Sequence, residues 1–178
     1  MRSKTLAVFL TAIAFQLSTA DLFAQAPRAS DEYEVKAAFL YNFAIYTEWP
    51  TLPPEAFDFC VLGNDPIDAP LNKIGRKSVQ GKAIHIRRLQ PTDDINGCHL
   101  LFVPVQEKEQ YFRIAPLIKQ HAILTITDAQ QGDEKWPMMM ITRVPKDELY
   151  TFDINLTTAK TAGLTLSSKL LRLARNVK

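Results

Sequence analysis

The sequence has few cysteines, histidines and glycines, and no excess of charge of one sign. It contains 2 Cys, 3 His and 6 Gly in 178 residues, and 21 basic side chains stand against 19 acidic ones. A net charge of +2 is too small for a protein that must neutralise a row of phosphates, so no nucleic-acid partner is expected. The length and the 47% apolar content predict one globular domain.

Motifs for catalysis and for metal binding are also missing. His85, His99 and His121 stand singly, without the spacing that places two imidazole nitrogens on one metal ion. The Gly-x-Ser-x-Gly motif of serine hydrolases does not occur. We therefore predict no catalytic residue, no metal site and no cofactor, and expect that the protein is not an enzyme.

A long apolar run occurs once, at the N-terminus. Arg2 and Lys4 precede an apolar stretch from Leu6 to Leu17, and small residues follow it. This order is typical of a secretory signal peptide, and the stretch is shorter than the roughly 20 residues of a membrane-spanning helix. Cleavage is expected after Ala20 or after Ala26, where the following Pro27 would hinder the peptidase, and the choice between the two stays open. We predict a signal peptide over residues 1–26 and a single soluble, exported domain over residues 27–178.

The two cysteines are consistent with export. In an oxidising compartment, Cys60 and Cys98 are most simply interpreted as one disulfide, with two buried free thiols as the alternative.

Hydrophobic patterning predicts an α/β fold. A capping box of Asp31 and Glu34 heads a helix that is apolar on nearly every side. Strands alternating with helices then predict a mainly parallel sheet covered by helices on both faces, a three-layer sandwich. An antiparallel hairpin over residues 138–155 and two short helices, one ending at Gly163 and one over residues 167–176, are predicted to close the chain. The predicted central strands are residues 57–62, 82–89, 98–103 and 122–127, with helices over residues 67–75 and 106–118.

The tripeptide Gly63-Asn64-Asp65 is a candidate ligand site, because it follows a predicted strand and opens a predicted helix. Backbone N–H groups at such a point can bind an anion, and open α/β sheets bind ligands there. The alternative is a turn whose residues are chosen for their backbone angles.

Four stretches of the sequence together resemble the YfiR family of bacterial periplasmic proteins. They follow one another in order along essentially the whole predicted mature chain. The stretches are residues 33–43 continuing to Glu48-Trp49-Pro50, residues 59–63, residues 97–102, and residues 152–156 continuing through 162–164 to 168–174.

The resemblance implies a periplasmic regulator that acts by binding. Its implied partner is the periplasmic sensor domain of an inner-membrane diguanylate cyclase or of another membrane sensor protein, whose inhibition lowers cyclic di-GMP and biofilm formation. An outer-membrane lipoprotein is a second implied partner, and whether the protein forms a homodimer stays open. Candidate contact residues are Trp136, Leu164, Leu166 and Leu170. The alternative function is a periplasmic small-ligand binder that uses Gly63, Asn64 and Asp65.

The resemblance also implies that Cys60 and Cys98 form the first disulfide of the family. The second cysteine pair of the best-known members is absent here. We therefore expect Cys60–Cys98 to be a structural bond.

Overall fold

The structure is a computed structural model that describes residues 29–51, 55–90, 92–119, 121–128, 137–144 and 149–178. The predicted signal peptide lies outside the described residues. The described strands are β1 (Thr47–Glu48), β2 (Ala56–Leu62), β3 (Ser78–Val79), β4 (Lys82–Leu89), β5 (Leu100–Val103), β6 (Leu124–Thr127), β7 (Met139–Val144), β8 (Leu149–Ile154), β9 (Thr165–Leu166) and β10 (Asn176–Val177). The described helices are α1 (Ala29–Ile45), α2 (Asp68–Ile74), α3 (Lys108–Ile118), α4 (Leu156–Thr161) and α5 (Ser168–Leu173), with a 3-10 turn at Val105–Glu107.

Eight of the described strands form one sheet in the order β10-β8-β7-β6-β5-β2-β4-β3. Strands β2, β4, β5, β6 and β7 run parallel to one another. Strand β3 is antiparallel to β4, and β8 is antiparallel to β7. The prediction of a mainly parallel α/β sheet is therefore confirmed. Within the described part of the chain, no helix combines the length and the apolar content needed to cross a bilayer.

Successive residues of β2 contribute to two separate hydrophobic clusters. Phe57, Phe59 and Val61 belong to one cluster, together with side chains of α1, α2 and α5. Cys60 and Leu62 belong to the other, together with side chains of α3. Because side chains alternate between the faces of a strand, the clusters lie on opposite faces and helices contact both. The complete three-layer arrangement stays a prediction.

Helix α1 buries one side in the core and exposes Glu34, Val35, Ala38 and Asn42 on the other, so the prediction of burial on nearly every side is wrong. Leu40 and Phe43 are fully buried, and the rings of Phe39 and Phe43 lie 5.6 and 4.9 Å from the ring of Phe152 in β8. The first helix and a strand near the end of the chain therefore share one core.

The predicted start of α1 is wrong. The helix already includes Ala29, so Asp31 lies inside it and cannot act as its N-cap. Glu34 forms an ion pair with Lys73 of α2, a partner 39 residues away that the local pattern does not reveal.

The predicted end of the last helix is also wrong. Helix α5 ends at Leu173, and the following residues run beside β8 as β10. The Arg175 N–H donates to the Phe152 carbonyl at 2.8 Å and the Lys178 N–H donates to the Ile154 carbonyl at 2.9 Å. These bonds to a distant strand satisfy backbone groups that a longer helix would have bonded internally.

Strands β7 and β8 pair in antiparallel register from Met139 opposite Ile154 to Val144 opposite Leu149. Residues 145–148, which connect the two strands, lie outside the described residues. The turn of the predicted hairpin therefore stays a prediction.

A two-residue turn connects β3 to β4. Gln80 has a φ of 48° and Gly81 a φ of 78°, and positive values at both positions are those of a type I′ turn. The turn fixes β3 beside only the first two residues of β4, Lys82 and Ala83.

Candidate functional site

The carboxyl ends of β2, β5 and β6 meet at the point where the sheet order reverses. From β2 the chain crosses through α2 to β4 on one side, whereas β5, α3 and β6 build the other side. Helices α2 and α3 contribute to different hydrophobic clusters, so they cover opposite faces. Open α/β sheets bind ligands at such a point. We call this region, formed by residues 63–65, 105–107 and Asp128, the strand-end crevice.

Asp65 is buried in the crevice with both carboxylate oxygens bonded. Its Oδ1 accepts from the Ile67 N–H at 3.0 Å, which orders the start of α2, and its Oδ2 accepts from Gln106 Nε2 at 3.1 Å. Burial is the main cause that raises the pKa of Asp65 above its ordinary value, and the neighbouring Asp128 adds to the rise, while the Ile67 hydrogen bond opposes it.

Gly63 is held closely by its neighbours. Its N–H donates to the Leu89 carbonyl at 2.8 Å, and Arg88 Nη1 donates to its carbonyl at 3.0 Å. Its φ is +71°, and a Cβ there would collide with the Glu107 carboxyl group. The backbone angle therefore favours glycine at this position, and any side chain there would displace the Glu107 carboxyl group.

Lys36 of α1 forms a buried pair of ionic contacts in this region. Its Nζ lies 2.7 Å from Glu32 Oε1 and 2.6 Å from Asp128 Oδ2, and the Lys36 and Asp128 side chains are only 9% and 7% exposed. Burial alone would lower the pKa of Lys36, but the hydrogen bonds and charges of Asp128 and Glu32 outweigh it and raise the pKa above its ordinary value. Asp128 Oδ1 also accepts from the Val105 N–H at 2.8 Å. The cluster of Lys36, Glu32 and Asp128 therefore connects α1 to the ends of β5 and β6.

The predicted ligand tripeptide is thus occupied by contacts within the chain. Of its three residues, Gly63 and Asp65 are buried and bonded, and only Asn64 is exposed. A ligand at this point would have to displace Glu107 or Gln106. The geometry accounts for the tripeptide as an ordered turn, and ligand binding there stays a hypothesis.

The predicted disulfide is present between Cys60 and Cys98, and the alternative of two free thiols is wrong. The Cα atoms are 5.9 Å apart, and the two residues are 0% and 5% exposed. The bond connects the middle of β2 to the turn before β5, inside the cluster on the α3 face.

The structure places Leu164, Leu166 and Leu170 in the core, where they are 2%, 6% and 2% exposed. Their expected role as contact residues conflicts with this burial, because a buried side chain cannot touch a partner. The apolar residues exposed near this end of the chain are Leu173 and Val177. Trp136 lies outside the described residues.

The histidines do not converge. His99 Nδ1 accepts from the Asp58 N–H at 3.0 Å, and burial lowers its pKa, so its neutral ring is a structural acceptor. His85 is exposed and contacts Asp58 Oδ1 at 3.0 Å. Among the described residues, no group of three or more His, Cys, Asp or Glu side chains could hold a metal ion.

A cleft of about 580 Å³ lies between α3 and α4, away from the strand-end crevice. Its lining is mainly apolar and includes Tyr111, Phe112, Pro116 and Met138, with Thr158 on the opposite wall. Among the described residues that line it, Lys119 is the one charged side chain.

Sequence reasoning missed the cluster of Lys36, Glu32 and Asp128. A signal existed, because Lys36 is a lone cation within the apolar pattern of α1 and stands four residues after Glu32. Its contact with Asp128, which is 92 residues away, depends on the tertiary fold.

A family model described as YfiR/HmsC-like matches residues 33–175. The chain belongs to the YfiR/HmsC-like family. The matched range runs from the second described turn of α1 to the residue before β10, so this YfiR/HmsC-like chain matches over nearly the whole described fold. Among the curated proteins compared with it, none matches the chain significantly.

Proposed function

We propose that the protein is a periplasmic regulator that binds the periplasmic sensor domain of an inner-membrane signalling protein, most simply a diguanylate cyclase, and holds it inactive. The family match over residues 33–175 carries this proposal. The resulting effect is a lower level of cyclic di-GMP and less biofilm. Export by a cleaved signal peptide over residues 1–26 is part of the same proposal.

The mechanism is differential binding. A protein without catalytic groups changes the activity of a partner only if it binds one conformation of that partner more tightly than the other. A preference of about 3 kcal/mol changes the ratio of the two conformations more than a hundredfold. The disulfide joins β2 to the turn before β5 and the Lys36 cluster joins α1 to the ends of β5 and β6, and such cross-links support a preformed binding surface.

Reconstitution tests the proposal directly. The purified oxidised protein is immobilised and presented with detergent-solubilised inner membranes, and a captured protein is assayed for conversion of GTP to cyclic di-GMP. We expect a cyclase to be captured, and its activity to fall when the regulator is added to the periplasmic side of proteoliposomes. A captured cyclase whose activity does not change, or the absence of any captured signalling protein, would contradict the proposal.

A further inference from the structure

Among the described residues, β3 covers the outer edge of β4 at two positions, and no strand covers the rest of that edge. Strand β3 pairs only with Lys82 and Ala83, and the described part of the chain has no other strand outside β4. From Ile84 to Leu89, β4 pairs with β2 alone. Such an edge presents backbone N–H and C=O groups to which another extended chain can bond.

The hydrogen-bond pattern identifies the outward residues. In a parallel pair, alternate residues direct both backbone groups to the neighbouring strand and the others direct them away. The Leu89 carbonyl accepts from the Gly63 N–H, so Leu89 faces the β2 side. By alternation His85 and Arg87 also face β2, and Ile84, Ile86 and Arg88 direct their backbone groups outward.

The residues around this edge are basic. From Lys73 to Arg88 the sequence has six Lys and Arg residues and no Asp or Glu. Three of these cations have counter-charges from outside this stretch: Glu34 pairs with Lys73, Asp58 lies 3.1 Å from Arg87, and Asp68 forms an ion pair with Arg88. Arg76 and Lys77, beside β3, are exposed, and Lys77 Nζ lies 4.5 Å above the ring of Tyr41. The approach to the edge therefore has a positive field.

We propose that the outer edge of β4, from Ile84 to Arg88, binds an extended acidic segment of a partner protein as an added strand. Backbone hydrogen bonds to Ile84, Ile86 and Arg88 would supply affinity, and the surrounding cations select acidic side chains. The inference rests on the proposed function for the identity of the partner, which is the sensor domain of the signalling protein.

Charge favours such a partner over a second copy of this chain. Two β4 strands paired edge to edge would bring together the positive charges around this edge from both copies, including the exposed Arg76 and Lys77. Like charges directly across a strand pair are destabilising.

A synthetic peptide tests the edge without the natural partner. The probe is a seven-residue peptide in which glutamate alternates with valine, and the control peptide has lysine in place of glutamate. We expect the glutamate peptide to slow hydrogen exchange at the Ile84, Ile86 and Arg88 amides. The His85 and Arg87 amides serve as internal references, because they already bond to β2. The proposal would be overturned if the glutamate peptide does not bind, or if the lysine peptide binds equally well. It would also be overturned if these three amides exchange slowly without peptide, because that would show that the edge pairs with a second copy of the chain.

Ile86→Pro removes an outward N–H and blocks strand addition at the centre of the edge. Proline is tolerated on an edge strand when its missing N–H faces solvent. We expect binding of the glutamate peptide to weaken about tenfold or more, and the matched control Ile86→Val, which keeps the N–H, to bind normally. Because Ile86→Pro could unfold β4, Arg76→Glu with Lys77→Glu serves as a second variant on exposed side chains. It should weaken the glutamate peptide and strengthen the lysine peptide.

The same variants separate this inference from the proposed function. If the sensor domain binds wild type and Ile86→Pro equally well, the edge is not the interface although the regulator function stands. If no sensor domain binds even wild type, the regulator function fails, while the peptide measurement still decides whether the edge accepts a strand.

Discussion

At the scale of single residues, Lys36 shows what a charge within an apolar helix does. It lies between Glu32 and Asp128 with very little exposure to water. A buried charge without its partner is far less stable than the intact pair. Removing the lysine leaves the Asp128 carboxylate in a nearly dry site, where the Val105 N–H is its remaining partner among the described residues.

We predict that Lys36→Met lowers the free energy of unfolding by about 3 kcal/mol. The measurement is urea denaturation at neutral pH. Lys73→Met is the matched control, because the Lys73–Glu34 pair is 70% and 45% exposed. Its loss should cost no more than about 0.5 kcal/mol. Equal losses in the two variants would mean that the Lys36 cluster adds nothing beyond a surface ion pair.

The raised pKa of Asp65 predicts in which direction its contribution to stability changes with pH. Its pKa in the folded protein is raised, mainly by burial, above the ordinary value of 3.8. The folded state therefore holds the proton more tightly than the unfolded state, and the contribution of Asp65 to stability falls as pH rises above about 4. We predict that the destabilisation caused by Asp65→Asn, measured by urea denaturation, is smaller at pH 7 than at pH 3.

Asp153 is the control, because its contribution to stability should change with pH in the opposite direction. Burial opposes its ionisation, but hydrogen bonds from Arg175 and Asn176 outweigh burial and lower its pKa below 3.8. Its contribution is present above that value and is lost as pH falls through the folded pKa. The destabilisation by Asp153→Asn should therefore be larger at pH 7 than at pH 3. The same direction of change in both variants would contradict the assignment of Asp65.

At the scale of elements, the disulfide connects β2 to the turn before β5 across 38 positions of sequence. In the chain-entropy view, closing a loop of this length stabilises the fold by roughly 4 kcal/mol. We predict that the double variant Cys60→Ala, Cys98→Ala loses up to about this amount. Alanine is chosen because a buried serine hydroxyl would add an unpaired polar group.

The check is urea denaturation of both proteins with and without reductant. Reductant should lower the stability of wild type towards that of the double variant and leave the double variant unchanged. Wild type that keeps its full stability after complete reduction would show that packing alone holds β2 and β5 together.

Element prediction from sequence succeeded where periodic patterns are long. The range Lys82–Leu89 was predicted with the bounds that β4 has, since its flanking glycine and its β-branched residues are local signals. The strands β1, β3, β9 and β10 have two residues each, which is too short for a pattern. Their existence depends on pairing with strands far along the chain.

The candidate site was predicted less well for the same reason. The position of Gly63 and Asp65 after β2 was predicted correctly, and so was the Cys60–Cys98 bond. The contacts that fill the crevice involve Gln106, Glu107 and Lys36, which approach only after the sheet has formed. The sequence around Leu164 and Leu170 would look the same if these residues lay in the core or on the surface. The sequence alone therefore could not show that they are buried.

At the scale of the whole molecule, the first and last parts of the described fold stabilise each other. Phe39 and Phe43 of α1 contact Phe152 of β8, β1 pairs with β9, and the Ser167 N–H donates to the Tyr46 carbonyl at 2.9 Å. Neither end can leave the core without exposing the aromatic side chains of the other.

We therefore predict a single cooperative unfolding transition. Trp136→Phe leaves Trp49 as the only tryptophan, and Trp49 is buried with its Nε1 donating to the His99 carbonyl at 3.2 Å. Urea midpoints from Trp49 fluorescence and from far-ultraviolet circular dichroism should coincide. Two separated midpoints would show that the C-terminal elements unfold independently of the sheet centre.

The cysteine pair has a further consequence for how the chain matures. With 2 cysteines in the sequence, one intramolecular pairing exists, whereas four cysteines already allow three connectivities. Oxidation therefore cannot trap a monomer in a wrongly paired isomer, and slow thiol–disulfide reshuffling is not a step on its route to the native state. Maturation of this chain needs an oxidant but no disulfide isomerase.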